Sequence, residues 1–283
     1  MTIVSFQSHV AAGAVGNTAA SIVYAAFGRE LWALPTVLYS NHPAGRTFAG
    51  EVVSTASLYR LIAAFEKNGL IEQVEHVQTG YLGAAEQAQA VLTLLSAARK
   101  SGRPVSYACD PVLGDQTAGL YVPRTIAITI REALVPAADI VMPNLFELGY
   151  LANTPVDPAA QVWTAMQSLQ RKGPRIVIAT SVITQETAAN ELSTFLLDGI
   201  NRWCVGTPRI SSPAHGAGDV MAAVFLARLS EGESSDRALS HAVSSVHCIL
   251  AATGNQADLP IHAARDHLLS PVPVYPAVAT PLS

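Results

Sequence analysis

The segment His215-Gly216-Ala217-Gly218-Asp219 places glycines and a carboxylate directly ahead of a helical run. Glycines allow a sharp turn, so that successive N–H groups at the start of the following helix can point at one anion. Asp219 could then accept the proton of a substrate hydroxyl while those N–H groups hold a transferring phosphoryl group. The alternative is an ordinary turn in which Asp219 complements the helix dipole, and a match this short does not decide between them.

Two further carboxylates follow predicted strands. Asp110 stands in Ala108-Cys109-Asp110-Pro111, and Glu147 ends Met142-Pro143-Asn144-Leu145-Phe146-Glu147. Ligands of doubly wound sheets bind beyond the carboxyl ends of the strands, so both carboxylates are expected to face one crevice. Mg²⁺ prefers oxygen ligands and is often held by one or two carboxylates together with phosphates. The pattern predicts phosphoryl transfer with a metal near Asp110 and Glu147, the alternative being loop or helix-cap carboxylates.

The elements that must position these groups alternate along the chain. Short apolar runs predict buried strands at residues 3–6, 74–78, 105–108, 140–142 and 175–179. Apolar residues at helical spacing predict helices over residues 58–65, 88–95, 162–169, 220–229 and 238–250. This alternation predicts a parallel sheet with helices on both faces, in a single domain spanning residues 1–283.

Three segments depart from the alternation. Residues 31–54 contain extended chain and a turn-rich stretch, and they are predicted to form a small mobile flap. Residues 193–197 and 202–205 flank Asp198-Gly199-Ile200-Asn201 and predict an antiparallel hairpin. The Pro-rich residues 270–283 are expected to be loosely ordered.

Composition excludes several classes of protein. The 283 residues carry a net charge of -4 without a basic run, which argues against a nucleic-acid partner. Charged or turn residues interrupt every apolar stretch before it reaches the ~18 residues that a membrane helix needs. The amino terminus indicates a strand and not a signal peptide, so a soluble protein is expected. The three cysteines form no CxxC pair, which suits a reducing cytoplasm. Neither a P-loop nor a GxGxxG fingerprint occurs.

Taken together, the chain resembles the pyridoxal kinases of the ribokinase-like superfamily, closest to the bacterial salvage-type enzymes, from Ile3 to about His267. Six segments carry the resemblance: Gln7-Ser8-His9-Val10 with Gly16-Asn17, Tyr39-Ser40-Asn41-His42, Thr79-Gly80-Tyr81-Leu82-Gly83, Cys109-Asp110-Pro111-Val112-Leu113-Gly114, Pro143-Asn144-Leu145-Phe146-Glu147 and Gly216-Ala217-Gly218-Asp219. The resemblance implies a three-layer α/β/α fold with a mainly parallel central sheet and a small flap.

The resemblance also implies a role for each matching residue. Asp219 would be the catalytic base toward the 5′-hydroxymethyl group of the vitamin, with Gly216, Ala217 and Gly218 as the anion hole. The substrate site would comprise Ser8, His42, Pro43, Ala44 and Tyr81, together with Asp219. The ATP site would comprise Asp110, Met142, Asn144, Glu147, Thr180, Thr207, Pro208, Arg209 and Ile210, with Asp110 and Glu147 around Mg²⁺.

At two places the sequence departs from the pattern of the family. Thr180 occupies a position where close relatives have a Lys, and Arg209 is the candidate substitute for its charge. Pro43 and Ala44 stand where relatives have polar residues that contact the substrate.

The activity implied by the resemblance is ATP-dependent phosphorylation of pyridoxal to pyridoxal 5′-phosphate in vitamin B6 salvage. Pyridoxine and pyridoxamine are further candidate substrates, and Mg²⁺ and K⁺ are candidate ions. The resemblance also implies a homodimer in the cytoplasm. One alternative is a hydroxymethylpyrimidine kinase, although those enzymes usually have Cys where this chain has Asp219. The other is a B6-vitamer binding protein with little kinase activity, which Thr180 and the altered flap motivate.

Overall fold

The computed structural model describes residues 2–281, and ten of its strands form one sheet in the order β12-β11-β10-β9-β8-β5-β4-β1-β2-β3. The strands are β1 (Thr2–Val10), β2 (Glu30–Tyr39), β3 (Gly50–Val52), β4 (Val74–Thr79), β5 (Ser106–Cys109), β6 (Gly114–Asp115), β7 (Gly119–Leu120), β8 (Ile140–Val141), β9 (Ile176–Val182), β10 (Glu191–Asp198), β11 (Asn201–Pro208) and β12 (Val278–Ala279). Strands β6 and β7 pair with each other in a separate small hairpin.

Helices cover both faces of the sheet. They are α1 (Gly16–Ala26), α2 (Thr55–Lys67), α3 (Gln87–Lys100), α4 (Arg124–Thr129), α5 (Val135–Ala137), α6 (Leu145–Ala152), α7 (Ala159–Gln170), α8 (Ala217–Ser230), α9 (Ser235–Thr253) and α10 (Arg265–Leu269). None of the helices within residues 2–281 combines the length and the hydropathy needed to cross a membrane.

The middle of the sheet is parallel, because β2, β1, β4, β5, β8 and β9 pair in parallel with their neighbours. Strands β9, β10, β11 and β12 are joined by antiparallel pairing, as is β3 to β2. The predicted α/β class and the predicted hairpin, now β10–β11, are therefore confirmed.

Two buried cores make this a three-layer structure. Side chains of α2, α3, α6 and α7 pack on one face of the sheet, and those of α1, α8 and α9 pack on the other. Val4 and Phe6 of β1 face the first core while Ile3 faces the second, which is the alternation expected of a strand buried on both faces.

The segment predicted as a flap is mostly part of the sheet. Strand β2 pairs with β1 from Thr2↔Glu30 to Val10↔Tyr39, because its apolar residues, such as Leu34 and Val37, are buried against the helices. Between β2 and β3, residues 40–49 leave the sheet, and we call them the lid loop.

The carboxyl-terminal segment is more ordered than its proline content predicted. Val278 and Ala279 pair with β11 as an edge strand, a position that tolerates neighbouring prolines. The Tyr275 N–H donates to Ser244 Oγ at 2.8 Å, and its carbonyl accepts from Ser240 Oγ at 2.6 Å. The expectation for residues 282 and 283 lies outside the described residues.

Candidate active site

A cavity of about 790 Å³ lies beyond the carboxyl ends of the parallel strands. Its wall is formed by the ends of β1, β2, β5, β8 and β9, by the start of α8 and by one side of α9. This is where ligands of open α/β sheets are expected, and the volume is in the range of small-molecule sites.

The turn at the start of α8 lines this cavity with Gly216, Ala217 and Gly218. Gly216 is the residue before the helix and has φ of 100°, a left-handed conformation, and a Cβ there would collide with the carbonyl oxygen of Ala14. The first intrahelical bond runs from the Val220 N–H to the Gly216 oxygen at 3.0 Å, so the preceding N–H groups have no partner within the helix. Residues 220–227 of α8 are buried, which fixes the direction of this helix end.

Asp219 lies in the first turn of α8 and lines the cavity. The backbone N–H of Gly16, at the start of α1, acts to lower the pKa of this carboxyl. Burial nevertheless raises the pKa of Asp219 to about 6. A carboxylate with this pKa is mostly ionised at neutral pH and holds a proton far better than an exposed aspartate, which suits a general base.

Asp110 follows β5 and is buried at the centre of the cavity wall. Burial, together with the negative charges of Glu147 and Asp219, raises the pKa of Asp110 well above its usual range. Its Oδ2 lies 3.7 Å from the position that a Cβ on Gly218 would occupy. The carboxylate therefore lies next to the turn that carries Asp219.

Glu147 lines the same cavity but is engaged with the backbone. Its Oε1 accepts from the N–H of Leu113 at 2.7 Å and of Gly114 at 3.4 Å, and Oε2 accepts from the N–H of Asn144 at 2.9 Å. Asn144 Oδ1 in turn accepts the Glu147 N–H, which completes a capping box at the start of α6. Glu147 thus has the helix-cap role that the sequence left open as an alternative, and it also fastens the loop after Asp110.

The vitamin-site residues predicted from sequence all line the cavity. Ser8 and Tyr81 line it from strand ends, and His42, Pro43 and Ala44 line it from the lid loop. Burial raises the pKa of Tyr81, and the neighbouring Tyr39 adds to the increase.

The remaining residues of the predicted nucleotide site line the same cavity, with one exception. Met142, Asn144, Thr180, Thr207, Pro208 and Ile210 line the cavity. Arg209 does not: its side chain is exposed and its backbone N–H donates to the Asn190 oxygen at 2.8 Å. The structure therefore does not bring Arg209 to the site, because the neighbouring residues of this extended segment face the cavity in its place.

Sequence reasoning missed several lining residues, among them Asp115, Tyr121, Thr194, His215 and His247. Asp115 ends β6 and Tyr121 follows β7, and these two-residue strands are too short for a sequence pattern. The side chain of Tyr121 lines the cavity although it is half exposed, and partial burial with the charges of Glu147 and Asp110 raises its pKa.

Comparison with known proteins gives a consistent result. The model of the phosphomethylpyrimidine kinase family matches residues 63–260. The pyridoxal kinase of Corynebacterium diphtheriae is 34% identical over 253 residues, which are 89% of either chain. That of Rubrobacter xylanophilus is 33% identical over 98% of this chain and 96% of its own. The structure of pyridoxal kinase from Leishmania donovani in complex with ADP and pyridoxamine superposes with a TM-score of 0.91, at 26% identity and 99% coverage of both chains.

Proposed function

The chain belongs to the pyridoxal kinase family and is a kinase, and we propose that it transfers the γ-phosphoryl group of ATP to the 5′-hydroxymethyl group of pyridoxal. The observation that carries the proposal is the position of Asp219, at a helix start whose free N–H groups share one cavity with two further carboxylates. The similar Leishmania protein is described in complex with ADP and pyridoxamine, the two kinds of ligand that this cavity would hold together.

Asp219 accepts the proton of the hydroxymethyl group as the oxygen attacks phosphorus. The N–H groups of the turn at residues 216–218 donate to the transferring phosphoryl oxygens, and the positive end of the α8 dipole stabilises the same charge. Because the transition state is loose, in-line positioning of the two substrates supplies most of the acceleration.

The acidic side chains fit a divalent cation. Asp110 is buried beside Glu147 and Asp219, whose charges oppose its ionisation, so a cation held here would relieve that repulsion. Asp110 would hold Mg²⁺ directly, and Glu147 would orient the adjacent loop. Within residues 2–281 no three His, Cys, Asp or Glu side chains form a metal-binding group, so phosphates and water would supply the other ligands. Bound Mg²⁺ would neutralise charge on the phosphates. Binding of K⁺ stays a prediction that rests on the resemblance.

Among the described residues that line the cavity, none is Lys or Arg. Thr180, at the position of the expected Lys, lines the wall and donates its N–H to the Pro143 oxygen at 2.9 Å. This observation favours the B6-binding protein as a second candidate, because a weaker field at the phosphates would slow transfer. The matching family model favours the hydroxymethylpyrimidine kinase as the third.

One assay separates the three candidates. The purified chain is mixed with ATP and Mg²⁺, and ADP release is followed with pyridoxal, pyridoxine, pyridoxamine or hydroxymethylpyrimidine. The proposed function requires the highest kcat/KM with a B6 vitamer. Tight pyridoxal binding without ADP release would support the binding protein, and a preference for hydroxymethylpyrimidine would support the pyrimidine kinase.

The resemblance further leads us to propose a cytoplasmic homodimer. Light scattering on the purified protein tests the dimer.

A further inference from the structure

Outside the lid loop, the Ala12 N–H donates to the Ser40 oxygen at 2.9 Å and the ring of Tyr39 contacts that of Phe48, with centroids 5.1 Å apart. Most other hydrogen bonds of the lid loop lie within it. Its ends are joined by the Ser40 N–H donating to the Ala49 oxygen at 2.8 Å. Its tip is folded by Asn41 Nδ2 donating to the Thr47 oxygen at 3.0 Å and by the Gly45 N–H donating to the His42 oxygen at 3.0 Å. These bonds give the tip a shape, but they do not attach it to the opposite wall of the cavity.

One ring contact makes that attachment. The imidazoles of His42, in the lid loop, and His215 stack with centroids 3.9 Å apart and planes 15° from parallel. His215 directly precedes Gly216, where the phosphate-binding turn begins, and its backbone forms a parallel bridge with Asp258. Both rings line the cavity. The stack therefore joins the lid tip to the turn that carries Asp219.

The environment of His42 favours its neutral ring. His42 Nδ1 accepts the Ala44 N–H at 3.2 Å, so the ring proton of the neutral form lies on Nε2. Burial and the neighbouring His215 lower the pKa of His42, and the Asp258 carboxylate opposes this shift. The nitrogen lone pairs of stacked rings lie in two parallel planes and do not converge on one metal ion. The contact is therefore an aromatic one.

We propose that His215 is a positioning residue that latches the lid loop through His42 and so holds the lid against the phosphate-binding turn. The inference rests on the proposed function only for the identity of the ligand beneath the lid. The latch itself rests on the stack.

Hydrogen–deuterium exchange tests the latch without any turnover. The full chain is compared with His215→Ala, with His215→Phe, which keeps an aromatic ring, and with His262→Ala, an exposed histidine outside the cavity. In His215→Ala, exchange of the amides in residues 41–48 should be about 2- to 10-fold faster, the range expected for losing one aromatic pair. His215→Phe and His262→Ala should resemble the unmodified chain. Equal exchange in all four proteins, or exchange as fast with Phe as with Ala, would overturn the latch.

A double-mutant cycle on pyridoxal phosphorylation tests the consequence for substrate. His42→Ala, His215→Ala and the double variant should each raise KM for pyridoxal more than they lower kcat. The double variant should be no worse than the His42→Ala variant, because either single change already breaks the stack. Additive effects would contradict the latch. Absence of phosphorylation by the unmodified chain would instead contradict the proposed function, and the exchange experiment would still decide the latch.

Discussion

Replacing Asp219 by Asn should impair catalysis and stabilise the fold at the same time. The amide cannot accept the substrate proton, so turnover should fall by about 10² to 10⁴ while nucleotide still binds. The opposite effect on stability arises because folding raises the pKa of this carboxyl from 3.8 to about 6, so the folded state disfavours the ionised form. A structural carboxylate whose pKa is lowered by folding would give the reverse sign.

The magnitude follows from the pKa difference. About 2 units at 1.36 kcal/mol per unit give about 3 kcal/mol. In the unmodified chain the favourable contribution of the protonated group is complete below pH 4 and is lost as the pH rises through 6. The amide of the Asp219→Asn variant carries no charge at any of these pH values. The variant should therefore be more stable at pH 8, by up to about 3 kcal/mol, and the difference should disappear toward pH 4.

Thermal unfolding at several pH values, with steady-state kinetics on the same samples, measures both effects. In a domain of this size about 1 kcal/mol corresponds to about 2 to 4 °C in Tm. Asp236→Asn is the matched control, because Asp236 also lies in the first turn of a helix, α9, but does not line the cavity. Near-normal turnover in the Asp219→Asn variant would refute the base assignment. A Tm at pH 8 that is equal to or lower than that of the unmodified chain would refute the electrostatic argument.

Three further predictions concern the same site. Because Asp219 must be ionised to accept a proton, kcat/KM should fall tenfold per pH unit below an apparent pKa near 6, and a flat profile between pH 5 and 8 would contradict this. Gly216→Ala should lower the free energy of unfolding by at least about 2 kcal/mol and abolish turnover, because the φ of 100° and the Ala14 carbonyl exclude a Cβ. Gly199→Ala is the control: Gly199 has φ of 59° but lies in open space, so its free energy of unfolding should fall by only about 1 kcal/mol. Glu147→Ala should lower the free energy of unfolding, measured in urea, by about 2 to 4 kcal/mol, because three backbone N–H groups lose their acceptor. A decrease below about 1 kcal/mol would contradict the capping role.

The groups at strand and helix ends were the most predictable from sequence. Asp110 follows a short apolar run, and Asp219 follows a glycine-rich turn, so the positions of both depend on local patterns and on the rule that places strand ends at one edge. The structure brings both to one cavity. The ambiguity of Glu147 was also visible in sequence, because an Asn three residues before a Glu is able to form a capping box.

Features that depend on distant contacts could not be predicted in this way. The stack of His42 on His215 joins residues 173 positions apart, and neither local sequence indicates the other. Strand β12 forms only because β11 offers a free edge, which the Pro-rich composition of the segment conceals. For Arg209, the family resemblance indicated a segment that does reach the cavity, but it did not give the direction of one side chain within that segment.

The composition of the cavity wall determines how the affinity for ATP should depend on the ions in solution. With no Lys or Arg among the described residues of the wall, attraction for the nucleotide would come from fixed peptide dipoles and from the divalent ion proposed to arrive with it. Affinity should therefore depend steeply on free Mg²⁺ and only weakly on the concentration of sodium chloride, since ionic screening acts least on groups that are withdrawn from solvent.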